Sequence, residues 1–577
     1  MSTHNVADQM WDMLAEAGVK RCYGIVGDAL NPVIDSLRRN GRVEFIHVRH
    51  EEFGVFAANS EALLTGRPVA VCGTAGPGVA HLINGLLDAK HESAPVIAVA
   101  GDVERTIMDT DGLEELNPYY FFQSASLYTG RVVRADQARA VISTAITTAL
   151  TERGPTVISM PGDVAKEPAI PHRFTVPKVD ATPPTAPQAD IAEMAELINQ
   201  ARKVTIFAGD GCRYAQEQVA ALAGVTCAPV GFTFRGKEWI EHCTPNAVGM
   251  TGLLGWGGAY DAIHDADLLL LLGCDFPFTN FLPSGVKTIQ VDKNPGHLGR
   301  RMAIDLGVVG DVGATLSQLL GYLEPKTDRG HLDHHLKQTE HWRQKMRHYV
   351  KAGPKTKPIR PEFLTATISD LADDDALFFV DTGTPCMWAS RYLRTTPERR
   401  IMGSFTWASM ASAAPYGFGA ALSYPGRQVV SLCGDGGYTM LALGDLITQA
   451  QHGVRAVNVI YNNSCLDFVN IEQQEAGYIP YGVDMPNPDL AKVATALGAR
   501  GIRVTEPGDV HDAVAEALAF TDGPVVLDVV VDPTALTRPS HIPKATAEGF
   551  TLSVAKRVFT GNIPELVHEA RDNLGLL

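Results

Sequence analysis

Gln428-Val429-Val430-Ser431-Leu432-Cys433-Gly434-Asp435-Gly436-Gly437 is a short apolar run that ends in a glycine-rich turn carrying one acid. Downstream, Ala456-Val457-Asn458-Val459-Ile460-Tyr461-Asn462-Asn463-Ser464-Cys465 repeats the pattern with paired asparagines at its end. Between them Met440, Leu441, Leu443, Leu446, Ile447 and Ala450 recur at helical spacing. Strand, helix, strand is the βαβ unit, and its two strands should lie parallel. Gly434-Asp435-Gly436 and Asn462-Asn463 would then meet beyond the carboxyl ends of those strands, where open α/β sheets bind ligands. The glycines Gly436 and Gly437 bare backbone N–H groups to an anion at a helix start. Asp435 and Asn463 add one charged and one neutral oxygen. So sparse a set suits Mg²⁺, which completes its octahedron with phosphate oxygens and water. The reading is a magnesium-bridged diphosphate. Either half alone is more often a plain turn; the pair is far more specific.

The chain around this core has 577 residues, enough for three or four domains. An apolar share of 45% and a charged share of 20% describe a globular protein. The net charge of −16, with no basic stripe to offset it, argues against nucleic acid as a partner. Nine cysteines are scattered without a C-x-x-C, which favours buried thiols in a reducing compartment. No signal-like segment or bilayer-length apolar run is present, and a cytoplasmic enzyme is the expectation.

Working outward, the fold expected is α/β, with three doubly wound parallel-sheet domains and a C-terminal tail. Residues 1–170 alternate helices and strands. Strands are expected at Arg21–Gly24, Val43–Val48, Val69–Cys72, Pro95–Gly101 and from Thr156. The second of these runs into Arg49-His50-Glu51-Glu52 and a helix. The third runs into Gly73-Thr74-Ala75-Gly76-Pro77-Gly78, a loop able to expose backbone amides. Prolines then crowd between Pro168 and Pro187, a linker composition. A second unit spans 188–325, and a charged helix with a proline-rich connector leads to a third unit over 361–531. Residues 532–577 form the tail. The first and third units could share a fold.

The spacing of Asp435 and Asn463 resembles the metal–diphosphate motif of thiamine-diphosphate enzymes, which implies Asp435, Asn463 and the main-chain carbonyl of Cys465 as metal ligands. Thiamine also needs a carboxylic acid at its aminopyrimidine, best placed in apolar surroundings that raise its pKa. Glu51 follows a strand and starts a helix in another domain; taken alone, Arg-His-Glu-Glu is more often a solvated helix start. His50-Glu51-Glu52, Gly76-Pro77-Gly78 and His81-Leu82-Ile83-Asn84-Gly85-Leu86 look like the pyrimidine domain of bacterial pyruvate oxidases, with the quinone-dependent pyruvate dehydrogenases the nearest group. That resemblance spans nearly the whole chain in the same domain order. It implies Glu51 as the cofactor-activating acid and Gly76 beside the cofactor. It implies Ala408, Ser409 and Met410 at the thiamine, with Met410 wedged under it. Phe468 matches an aromatic between thiamine and flavin, and Glu472 a site carboxylate. In the middle domain Thr251-Gly252-Leu253-Leu254, Cys274-Asp275-Phe276-Pro277-Phe278 and Asp292 resemble the FAD-binding segments, Asp292 being placed for an adenosine ribose. Gly209-Asp210-Gly211 is only a weak glycine signal.

The resemblance thus implies thiamine diphosphate, Mg²⁺ and FAD as cofactors. The activity implied is oxidative decarboxylation of pyruvate, or a related 2-oxo acid, to acetate and CO₂, with electrons passed to a quinone. A homo-oligomer is implied, a dimer of dimers, because the anchor of one subunit meets Glu51 of another. The tail from Phe550 to Phe559 and from Ile563 to Leu577 would touch the inner face of the cell membrane, or pack on the enzyme's own surface. Several positions depart from the pattern. Leu113-Glu114 stands for Phe-Gln, Thr382 for valine, Trp407 for histidine, Ala408 for glycine and Asp467 for glycine. Glu114, expected beside the substrate, brings negative charge near its carboxylate and leaves the choice of 2-oxo acid open. Two rival readings remain: an acetolactate-synthase-like carboligase with structural FAD, and a cofactor-binding homologue impaired in turnover.

Overall fold

The computed structural model describes residues 4–170, 174–176, 183–536, 541–542 and 544–559. Part of the proline-rich linker, including Pro171 and Pro177, and the stretch from Ile563 to Leu577 lie outside these residues.

The first sheet contains β1 (Arg21–Gly24), β2 (Glu44–His47), β3 (Val69–Gly73), β4 (Val96–Asp102), β5 (Tyr128–Arg131) and β6 (Thr156–Pro161). The middle sheet contains β7 (Val204–Ala208), β8 (Val230–Phe232), β9 (Ala247–Met250), β10 (Trp256–Gly257), β11 (Leu268–Leu272), β12 (Lys287–Asp292) and β13 (Leu306–Val309). The third contains β14 (Leu377–Val380), β15 (Arg400–Met402), β16 (Val429–Gly434), β17 (Val457–Asn462), β18 (Arg500–Val504) and β19 (Val525–Val530). The six-stranded first and third sheets have the orders β2-β1-β3-β4-β6-β5 and β15-β14-β16-β17-β19-β18, which are one topology used twice. Both are wholly parallel; in the seven-stranded middle sheet only the edge strand β10 runs antiparallel. The strand order reverses between β1 and β3, between β7 and β11, and between β14 and β16. Each reversal opens a crevice at the carboxyl ends.

Near-continuous apolar strands buried on both faces explain this architecture: β3, β4, β11 and β14 are buried along their whole length. β5 carries no such run and is only half-buried at its start, so it leaves no signal in the sequence. The pair β16–β17 is parallel, with Cys433 opposite Ile460 and Gly434 opposite Tyr461.

Five helices frame the crevices and the contacts between domains: α1 (Glu51–Thr65), α2 (Gly330–Ala352), α3 (Ala413–Ser423), α4 (Asp467–Glu475) and α5 (Lys544–Phe559). α1 follows β2 and α3 follows β15, equivalent places in the two like sheets, and these helices pack on each other. A Cβ on Gly419 would collide with the Ala57 carbonyl oxygen, and Ser60 Oγ donates to the Tyr416 carbonyl at 2.7 Å. α5 lies on α4: a Cβ on Gly549 would collide with the Glu475 carbonyl, and Arg557 donates to Gln474 Oε1 at 2.9 Å. Among the described residues no helix is long and apolar enough to cross a membrane.

Candidate functional site

Asp435 stands at the end of β16, only 2% exposed. Its Oδ2 accepts the Ser464 N–H at 2.7 Å and the Asn487 side-chain amide at 2.8 Å, and its Oδ1 accepts the Gly436 N–H at 2.9 Å. Burial pushes the carboxyl up to about 6 in spite of these donors. Among the described residues no cation pairs with it. A buried carboxylate served only by N–H groups leaves room for a hard divalent ion, so the residues fit Mg²⁺. Asn463 is brought opposite by the β16–β17 pairing. Its side-chain oxygen accepts the Cys465 N–H at 3.0 Å, and Ser464 turns the chain with φ of +58°. A β-bridge to Asp484 fixes the Cys465 backbone. Asn487 also donates to Asn462 Oδ1 at 3.2 Å. Sequence reasoning missed it, because nothing local marks a loop asparagine that far down the chain.

The glycines beside Asp435 have different causes. A Cβ on Gly437 would collide with Asp381 Oδ2, so Gly437 is required by packing. Asp381 is buried, accepts the Ser412 N–H at 2.9 Å, and is pushed by burial up to about 7. Gly436 faces Leu466, Met485 and the Met410 methyl, which lies 3.5 Å from a Cβ built there. Met410 therefore reaches the corner formed by Asp435 and Gly436. Its loop bends at Ala408, φ +61°, and at Ala411, φ +65°. Where the resembled family has glycine, this chain holds an alanine in the left-handed region. Ser409 is fastened by Ser404 Oγ, which accepts its N–H at 2.9 Å.

Glu51 heads α1 and is 5% exposed. Its Oε2 lies 2.9 Å from His81 Nδ1, and a Cβ on Gly78 would stand 3.2 Å from its Oε1. The His50 and His81 rings stack at 4.5 Å. Gly76, φ +64°, packs against Glu114, whose Cα would be 3.0 Å from a Cβ there. A cleft at the carboxyl ends of β3, β4 and β6 is lined by Gly76, Val79, Gly101, Asp102, Glu114 and Leu116. Glu114 is exposed on its rim with φ of +64°. Asn84 ties this region to the third domain: it donates to Glu52 Oε1 at 2.7 Å and to Ser409 Oγ at 3.0 Å, and accepts from Trp407 Nε1 at 2.7 Å. Within one chain, the described side-chain contacts of Glu51 stay in its own domain.

Phe468 and Glu472 stand four residues apart on one face of α4. Phe468 packs against the third-domain core, while Glu472 is exposed, its carboxyl raised by desolvation alone.

In the middle domain, Thr251 is buried and its Oγ1 has no hydrogen-bond partner. Gly252, φ +89°, lets Phe276 approach to 2.7 Å of where its Cβ would be, and Leu253 is partly exposed. Leu254 packs between the middle and third cores. Cys274 is buried, Asp275 is clasped by Arg300 and Arg301, and Pro277 and Phe278 are exposed beyond Phe276. Asp292 ends β12, accepting the Asn294 N–H at 2.8 Å with His297 Nδ1 at 3.2 Å. An orphaned buried hydroxyl beside an exposed apolar step fits a ligand at this crevice. Gly209-Asp210-Gly211 has another origin: a Cβ on Gly209 would collide with the Gly273 carbonyl oxygen, so these glycines serve close packing between β7 and β11.

Three family models match the chain: the N-terminal thiamine pyrophosphate binding domain over residues 4–121, the central domain over 191–319, and the C-terminal thiamine pyrophosphate binding domain over 381–529. The chain is 33% identical to a Bacillus subtilis protein named "Putative thiamine pyrophosphate-containing protein YdaP", over 96% of each. It is 29% identical to the pyruvate oxidase of Lactiplantibacillus plantarum, over 93% of this chain and 90% of that one. It is 30% identical to an acetolactate synthase of Mycobacterium bovis, over 91% and 88%. With an acid and an asparagine joined at the third sheet's crevice and a buried glutamate at the head of α1, the chain belongs to the thiamine-diphosphate-dependent enzymes, in the family of pyruvate oxidase.

Proposed function

We propose that the protein oxidatively decarboxylates pyruvate, or a related 2-oxo acid, to acetate and CO₂ with thiamine diphosphate, Mg²⁺ and FAD, passing electrons to a quinone. The observation that carries the thiamine half is the Asp435–Asn463 corner, with Met410 beside Gly436. Thiamine diphosphate, when bound, supplies a carbon acid that adds to the 2-oxo group and takes up the electrons left as CO₂ departs, and FAD accepts them in pairs. Asp435, Asn463 and the Cys465 carbonyl would hold Mg²⁺ and through it the diphosphate. Glu51, shielded from water, would hold a proton at Oε1 or Oε2 against the aminopyrimidine of the partner subunit's cofactor. Thr251, Gly252, Cys274 and Asp292 would hold FAD, the free Thr251 hydroxyl giving one hydrogen bond. Phe468 and Glu472, on one face of α4, would shape the space between the cofactors. Electron delivery to a lipid-borne quinone suggests peripheral contact of the tail with the inner membrane face, and co-sedimentation with vesicles, with and without pyruvate, measures it.

The test is pyruvate added to FAD- and thiamine-loaded enzyme under nitrogen, followed by a quinone dye. Flavin bleaching and dye reduction with one acetate per turnover are expected; unbleached flavin in the presence of pyruvate and 2-oxobutyrate rejects the oxidative reading. Similarity to acetolactate synthases keeps carboligation as a second reading. It is read by acetoin formed after acid treatment, with no dye reduced.

A further inference from the structure

A second cluster of ligand-type side chains lies far along the chain from the cofactor residues, where α2 crosses the middle domain. α2 carries His331, His334 and His335 near its start, and Asp265 caps the helix Ala259–His264 beneath it. His335 is fully buried, at 0% exposure. Its Nδ1 lies 2.9 Å from Gln338 Oε1, an acceptor, which makes Nδ1 the protonated nitrogen. Nε2 then carries a lone pair. It has no hydrogen-bond partner, and the nearest carboxylate, Asp265 Oδ2, stands 3.7 Å away. A buried ring nitrogen left in this state is costly, and such a group calls for an explanation. Beside it, the His334 ring lies 4.9 Å off and nearly perpendicular, and one ligand atom from each of Asp265, His334 and His335 falls within 4.8 Å of the others. His331 stays outside the cluster because its Nε2 is engaged by Thr205 Oγ1 at 2.8 Å.

We propose that Asp265, His334 and His335 bind a Zn²⁺ ion that clips α2 to the middle domain, with water completing its coordination. Two imidazoles and one carboxylate are the ligand types of zinc sites that keep an open position. The Nδ1–Gln338 hydrogen bond is the outer-shell support that orients a ligating histidine, and Gln338 is itself held by donating to Asp261 Oδ2 at 3.1 Å. Bonds of about 2.0–2.1 Å set zinc ligand atoms roughly 3.4 Å apart. The contraction needed falls on Asp265 and His334, both exposed, while the buried His335 keeps its place. The nitrogen-rich set is distinct from the all-oxygen Asp435 corner, so the two sites would select different metals.

The experiment uses the full chain, stripped with chelator and resaturated with Mg²⁺ and thiamine diphosphate, then titrated with Co²⁺ as a spectroscopic substitute for Zn²⁺. One Co²⁺ per chain is expected, with visible bands of a four- or five-coordinate ion that Zn²⁺ abolishes. H334A and D265N, both surface changes that leave the fold intact, should each weaken binding by about tenfold or more. Absence of stoichiometric Co²⁺ bands, or bands and affinity unchanged in both variants, overturns the proposal. Neither result depends on turnover at the thiamine site.

Discussion

Asp435 shows how far one buried group dictates behaviour. Its carboxyl, pushed up to about 6 from the ordinary carboxylate range, disfavours ionisation in the folded protein, whereas a metal requires the ionised form. Affinity for the proposed Mg²⁺ is therefore expected to be full well above pH 6 and to fall roughly tenfold per unit as pH drops below it. Calorimetric titration with Mg²⁺ and thiamine diphosphate at pH 7 and pH 5 checks this, and equal affinities would contradict it. At Ala408 the prediction concerns strain. An L-residue at φ +61° costs on the order of 1 kcal/mol, so A408G should stabilise the protein by about that amount, seen as a higher Tm. A lower Tm would mean the loop is held otherwise. Asp435 and Asn463 were legible in the sequence because each ends an apolar strand and the βαβ rule joins them. Asn487 was not, since its bond to Asp435 is made by the path of a loop.

At the scale of elements, strands of the buried parallel type were legible wherever apolar residues run together, as at β3, β4, β7, β16 and β17. β5 was invisible because a short edge strand buries little. The helix after Asp435 was legible by its period, yet a π-turn over Tyr438–Ala442 precedes its regular part and Met440 is 55% exposed. A periodicity argument assumes 3.6 residues per turn throughout and cannot see such a break. The α1–α3 contact is where element packing can be tested. G419V would force a side chain into the Ala57 carbonyl, where not even a Cβ fits. Destabilisation on the order of 3 kcal/mol is expected from overpacking, measured by denaturant unfolding. An unchanged midpoint would show that the helices part without cost.

For the whole molecule, Arg235 joins all three domains. It donates to Asp210 Oδ2 at 3.0 Å in its own domain and to Thr406 Oγ1 at 3.0 Å in the third, and pairs with Glu92 of the first at 3.3 Å. This fixes the domains against one another, with Glu51 at the crevice of the first sheet and Asp435 at that of the third. We propose that the active site is shared between two subunits, Glu51 coming from one and Asp435 from the other, and complementation tests it. E51Q and D435N should each be nearly inactive alone. Co-expressed, they form mixed dimers with one intact site of two, restoring about a quarter of wild-type activity under random pairing. No recovery would place the site within one chain.

By itself the sequence determined the three α/β units and the acid-asparagine corner, because hydrophobic period and strand-end glycines are local properties. It also singled out Glu51 and Met410, through resemblance rather than physics. Only the tertiary structure decided why particular glycines stand where they do, that Asn487 completes the Asp435 shell, and that His335 keeps a buried nitrogen without a partner. Those facts belong to surfaces brought together from distant parts of the chain. No local pattern encodes the distance between atoms that meet only after the domains have packed.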